Sequence, residues 1–89
     1  MNLNPEQIQR AVDDREWQNF RLSLKGLTTR EKLDKLKEYI PVGTPRNDVK
    51  CVRVQNYLNA LARGGLIQPT NKHSTVRAQI VDAKILRWR

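Results

Sequence analysis

The amino-acid sequence predicts a mainly α-helical single domain that ends in a β-hairpin. At 89 residues the chain has the length of one small domain. Apolar residues recur with helical spacing from residue 14 to residue 63, and a strand-like alternation follows Gly64 and Gly65. Hydrophobic content of 38% and charged content of 29% are typical of a globular chain rather than a disordered one.

The first part of the chain predicts two helical pieces. Asn4 is a favourable N-cap and Pro5 a favourable first residue, so we expect a short helix or docked arm over residues 1–12. This part of the chain has two apolar sets: one is Ile8 and Val12, and the other is Trp17, Phe20 and Leu24. On one continuous helical wheel the two sets lie far apart. A single straight helix cannot bury both sets equally. We therefore expect a break near Asp13 and Asp14, followed by a helix over residues 14–25.

A second clear start signal lies at Thr28, because Glu31 follows three residues later and the pair fits a capping box. The predicted helix covers residues 28–40. Its apolar face consists of Leu33, Leu36, Tyr39 and Ile40. Its lysines are mixed with acidic residues, so we interpret them as a solvated surface.

The next predicted helix, over residues 48–63, organises the rest of the chain. Asn47 or Asp48 is expected to cap it, and Gly64 and Gly65 end it. One side carries an apolar stripe that needs a core, formed by Cys51, Val54, Leu58, Leu61 and Ala62.

The opposite side of this helix has no acidic residue; it carries Val52, Arg53, Asn56, Asn59, Ala60 and Arg63. Arginine pairs well with guanine edges and asparagine with adenine edges in a major groove. Three interpretations stay open at this point: a solvated surface that happens to lack acids, a surface that faces nucleic acid, or a surface that faces a protein partner.

Residues 66–88 are expected to form a β-hairpin and a C-terminal segment. Val76, Ala78 and Ile80 alternate with polar residues, and the polar residues 70–74 are typical of a turn. A single helix over residues 75–88 is the alternative, because no glycine or proline interrupts it. The aromatic side chains of Trp17, Phe20, Tyr39 and Trp88 are expected in the core.

Charge is unevenly distributed along the chain, whose net charge is +8. Residues 1–45 carry 8 basic and 7 acidic side chains, whereas residues 46–89 carry 9 basic and 2 acidic ones. This asymmetry favours nucleic acid or another polyanion as the partner.

Several functional classes are disfavoured by the sequence. No apolar run is long enough for a membrane span, and no secretory signal is visible, so a cytoplasmic location is expected. Cys51 is the only cysteine and His73 the only histidine. We expect no catalytic residue, no metal, no cofactor and no small-molecule substrate, because catalysis needs several converging titratable groups.

The segment VRVQNYLNALARGGLI resembles the recognition helix and first wing strand of winged helix-turn-helix proteins. The preceding loop, PVGTPRND, departs from the pattern, being richer in proline and glycine than the usual turn. The resemblance implies a winged helix-turn-helix-like domain with residues 48–63 in a major groove and the hairpin on the backbone. The expected DNA contacts are Arg46, Lys50, Arg53, Asn56, Asn59, Arg63, Lys72, His73 and Arg77.

The phrases DREWQNFRLSLKGL and VQNYLNALARGG resemble, less closely, small proteins of unassigned function from actinobacterial phages. The leading hypothesis is a non-enzymatic protein that binds double-stranded DNA, such as a small phage transcriptional regulator, with a homodimer on a two-fold site as one arrangement. The rival hypothesis is a basic module that docks on a host or virion protein.

Overall fold

Four α-helices form the computed structural model of this protein, which describes residues 4–69, 71 and 73–87. In chain order they are α1 (Pro5–Ser23), α2 (Thr29–Tyr39), α3 (Val49–Arg63) and α4 (Val76–Asp82). Over these residues there is no β-strand, only an isolated antiparallel bridge between Ile67 and Ile85.

The predicted break between residues 1–12 and 14–25 is wrong, because α1 is one continuous helix. Its start is as expected: Asn4 caps it, and Gln7 completes a capping box. The helix does not have to bury both apolar sets, since all of residues 4–12 are exposed. Ile8 and Val12 therefore remain 50% and 45% exposed.

The starts of α2 and α3 confirm the local predictions. The hydroxyl of Thr28 accepts from the Glu31 N–H, and the Glu31 carboxylate accepts in return from the Thr28 N–H. Asp48 caps α3 by accepting from the Lys50 N–H at 2.9 Å. After α3 the chain turns through Gly65, whose φ of +74° is readily available only to glycine.

The predicted β-hairpin over residues 66–88 is wrong, and with it the winged form of the helix-turn-helix fold. Residues 76–82 form α4, which Thr75 caps by accepting from the Ala78 N–H at 3.2 Å. Val76 and Ile80 fit a strand period and a helix period equally well. Gln79 decides between the two, because it is buried and donates to the Ser74 carbonyl at 3.0 Å, whereas a strand would point it outward.

Part of the expected antiparallel pairing is present between the segments that precede and follow α4. The Gln68 N–H donates to the Lys84 carbonyl at 2.9 Å, and the Leu86 N–H donates to the Leu66 carbonyl at 2.8 Å. The hydroxyl of Thr29 donates to the Arg87 carbonyl at 2.6 Å, which ties the C-terminal segment to the start of α2.

The core lies between α2, α3 and α4. The predicted burial of Cys51, Val54, Leu58 and Leu61 is confirmed. The other buried apolar residues are Leu24, Leu33, Leu36, Ile40, Ile67, Val76 and Ile80. α1 is held at its C-terminal half by a partly buried aromatic cluster of Trp17, Phe20, Tyr39 and Tyr57. Trp88, which was expected in the core, lies outside the described residues.

None of the helices described here is long and apolar enough to span a lipid bilayer.

Candidate nucleic-acid interface

The side of α3 that points away from the core is free of acidic residues along its whole length. We call this surface the outer face of α3 and define it as Val49, Val52, Arg53, Asn56, Asn59, Ala60 and Arg63. It exists because the stripe of Cys51, Val54, Leu58 and Leu61 is buried on the other side, which fixes the rotation of the helix about its axis.

The middle of the outer face presents two asparagine side chains. Asn56 is exposed, and no described residue forms a hydrogen bond with its amide. Asn59 is half-buried, and its side-chain oxygen accepts from Nε2 of Gln55 at 3.1 Å, which holds its amide in place. An exposed amide offers a donor and an acceptor together, the combination that matches the major-groove edge of adenine.

One edge of the outer face is covered by α1 at Arg53. The Nη1 group of Arg53 donates to the Asp13 carbonyl at 3.2 Å, and Nη2 donates to the Asp14 carboxylate. The Arg53 side chain is only 13% exposed. The structure therefore places Arg53 under α1, although its position on the helical wheel is outward.

The other edge is formed by Arg46, Asn71 and residues 73–75. The Arg46 guanidinium donates to the carbonyl of His73, and the His73 N–H donates to the Asn71 side chain at 2.9 Å. A cleft of about 300 Å³ separates this edge from α3; it is lined by Arg46, Cys51, Val52, Gln55, Asn56, Ser74 and Val76. Arg46 thus lies across this cleft from Asn56, and His73 is attached to Arg46.

Lys50 and Arg63 lie at opposite ends of α3. The Lys50 ammonium is 5.5 Å from the centre of the Tyr39 ring, a cation–π distance, and the side chain is half-buried. Arg63 is exposed in the last turn of the helix. Lys72, which was predicted to contact phosphate, lies outside the described residues.

Arg77 does not belong to this surface. Its expected role depended on a wing, and α4 stands in that place. The Arg77 Nη1 group donates to the Lys37 carbonyl at 2.9 Å and to the Ile40 carbonyl, both at the C-terminal end of α2. Helix ends have unpaired carbonyls and a partial negative charge, so Arg77 caps α2.

Sequence reasoning missed two features of the site. Val49 and Val52 are apolar yet about half exposed on the outer face, where a thymine methyl group or an apolar partner could contact them. Asp14 was interpreted as part of a helix start, and its pairing with Arg53 was not anticipated. One signal for this pairing was available in the sequence. Asp13 and Asp14 lie in the middle of a stretch that otherwise favours a continuous helix, so they did not have to mark a helix start.

Two titratable side chains near the outer face of α3 have raised pKa values. Burial raises the pKa of the Cys51 thiol, and the neighbouring Asp48 carboxylate raises it further. Burial also raises the pKa of Tyr57, against a smaller lowering by Arg21. Both side chains are therefore protonated at neutral pH. Within the described part of the chain, no group of three or more histidine, cysteine or acidic residues is arranged to hold a metal ion.

Comparison with models of known protein families, with curated proteins and with solved structures found no match to this chain.

Proposed function

We propose that this protein binds double-stranded DNA through the outer face of α3. The observation that carries the proposal is the composition of that face: it has no acidic residue, and its open part presents Asn56, Asn59 and Arg63, with Arg46 across a cleft from Asn56. A chain with a net charge of +8 is attracted to the phosphate backbone before any specific contact forms.

The dimensions of α3 suit a major groove. A helix of 15 residues is about 22 Å long, and the groove is about 12 Å wide, enough to admit it. Because α1 covers the Arg53 edge, base contacts are expected from Asn56 onward. The Asn56 amide would pair with an adenine, while Arg63 would reach a guanine or a phosphate.

The phosphate contacts would come from the edge opposite α1. Arg46 and His73 lie there, and Lys72 is one residue before His73 in the chain. The cations Arg46, Lys72 and Arg63 would neutralise three phosphates and one further cation of α3 would make four, so log K should fall by about 2.7 to 3.6 per log unit of salt. Affinity should then drop roughly 40- to 150-fold between about 50 and 200 mM salt.

A polarisation titration of labelled random-sequence duplex at several salt concentrations tests this proposal. A slope in the stated range supports DNA binding by this surface. Absence of binding at the lowest salt would contradict it. Selection from random DNA would then show whether the protein prefers a particular site.

We further propose that the protein is a small transcriptional regulator, such as one from a phage, and that it acts in the cytoplasm, where its target DNA lies. One domain makes few base contacts, so binding as a homodimer to a two-fold site is part of the proposal. Sedimentation of the protein with and without its preferred duplex tests the stoichiometry.

A docking module for a host or virion protein is the second candidate function. The observation in its favour is the outward side of α1, where Ile8, Val12 and Leu22 are all about half exposed. Apolar side chains that are exposed along one side of a helix are better matched to contact with a protein partner than with a phosphate backbone. Failure to bind duplex, together with loss of partner binding in Ile8→Ser, would favour this candidate.

A further inference from the structure

Among the described residues, the contact of Arg53 with α1 is the one ion pair that joins residues 46–89 to an acidic side chain of residues 1–45. The Arg53 guanidinium donates to two oxygens of α1, the carbonyl of Asp13 and the carboxylate of Asp14. Every described hydrogen bond or ion pair from residues 4–14 to another element goes to Arg53. The first half of α1 is thus attached to α3 through this side chain.

The Asp14 carboxylate is the anion that the Arg53 guanidinium binds in the free protein. A planar guanidinium binds a carboxylate and a phosphate with the same donor geometry, so whatever satisfies one can satisfy the other. Arg53 also lies in the right place for a phosphate, because it follows Val49 by one helical turn and precedes Asn56 by nearly another on the outer face.

The carboxylate side of this contact is open to solvent. The Arg53 side chain is only 13% exposed, but Asp14 is 55% exposed, so water screens the pair from the Asp14 side. α1 has no fully buried residue, and the aromatic cluster holds it from Trp17 onward, beyond the Arg53 contact. The Arg53 side chain can therefore leave Asp14 while α1 remains attached.

We propose that Asp14 is an internal substitute for a DNA phosphate at Arg53, so that bound duplex displaces the carboxylate and adds Arg53 to its contacts. This inference rests on the proposed DNA-binding function and specifies its regulation: α1 competes with DNA for one position on the outer face. Residue Arg53 is then a phosphate contact in the complex and an ion-pair partner in the free protein.

The test compares two substitutions that remove the same charge from neighbouring positions. Asp14→Asn breaks the ion pair with Arg53. Asp13→Asn is the matched control, because the Asp13 side chain accepts from Gln9 at 3.0 Å and only its backbone carbonyl contacts Arg53. Both variants, each also combined with Arg53→Ala, are titrated with random-sequence duplex, and circular dichroism checks that each is folded.

We expect Asp14→Asn to bind duplex about two- to fivefold more tightly than Asp13→Asn, the gain that release of a partly exposed ion pair permits. Arg53→Ala should abolish this difference and lower the salt slope of the wild type by about one. Equal affinities for the two asparagine variants, or a difference that survives Arg53→Ala, would overturn the inference while leaving DNA binding intact. If neither the wild type nor any variant binds duplex at about 50 mM salt, the DNA-binding proposal fails and the inference with it.

Discussion

At the scale of single residues, Asn56 is the side chain to which our proposal assigns specific recognition. It is exposed in the middle of the outer face of α3, and it is uncharged. Because Asn56 carries no charge, its removal should leave the salt dependence of binding unchanged, and a contact with a base edge would appear as lost discrimination between sequences.

Asn56→Ala is expected to reduce discrimination at one position of the preferred site by about 1–3 kcal/mol, with the salt slope unchanged. Lys72→Ala should behave in the opposite way, weakening binding to all duplexes alike and lowering the slope by about one. Polarisation titrations on the selected site and on single-base variants measure both effects. If Asn56→Ala binds every sequence as the wild type does, the outer face of α3 is not a reading surface.

The buried side of the same helix carries a prediction about stability. Leu58 is 1% exposed, and its truncation to alanine would leave a cavity that costs about 2–5 kcal/mol in the free energy of unfolding. Val52→Ala removes methyl groups from a side chain that is 50% exposed on the outer face, so it should cost far less. Thermal melts of the two variants compare the two sides of α3 directly, and similar melting temperatures would contradict the observed rotation of the helix.

At the scale of elements, the packing of α4 against α2 replaces the wing that sequence reasoning expected. Arg77 contributes to this packing by capping the last turn of α2, and its charge is directed to backbone carbonyls of the protein itself. The same residue was expected on DNA when residues 75–81 were assigned to a strand. The capping role and the phosphate-contact role of Arg77 predict different results when this residue is replaced.

Arg77→Ala is expected to lower the free energy of unfolding by about 1–3 kcal/mol, because the α2 carbonyls lose charge-assisted hydrogen bonds. The salt slope of DNA binding should not change. Lys84→Ala, which removes an equal charge from an exposed position near α4, serves as the control and should leave stability nearly unaltered. A stable Arg77→Ala protein with a reduced salt slope would restore the phosphate-contact role.

At the scale of the whole molecule, one thiol in the core reports on the integrity of the fold. Cys51 is buried between α3 and the rest of the core, and its pKa is raised. Because the folded state holds the thiol proton more tightly than the unfolded state, this group stabilises the fold below the usual thiol pKa and loses that contribution at more alkaline pH.

We therefore expect Cys51 to resist alkylation in the native protein at neutral pH and to react only as the molecule opens. The rate of modification should rise in step with Leu58→Ala destabilisation and should be far less affected by Val52→Ala. Fast, stoichiometric labelling of the native wild type would show that the core around α3 is open to solvent.

Several features of this protein were determined by short stretches of sequence. Asn4, Thr28 and Asp48 begin their helices as predicted, because a capping side chain reaches backbone groups only two or three residues away. The buried stripe of α3 was equally predictable, since its apolar residues repeat over the whole helix. The acid-free outer face follows from the same periodicity.

Only the tertiary structure decided the continuity of α1, the helical state of residues 76–82 and the partners of Arg53 and Arg77. Each depends on a contact with a distant part of the chain. Arg53 meets an acidic residue about 40 positions away, and Arg77 meets carbonyls equally remote. The span 76–82 is so short that its apolar spacing fits either period, and burial of Gln79 against the core selected the helix. Local spacing specifies which face of a helix is apolar, but which neighbour covers that face is a property of the assembled fold.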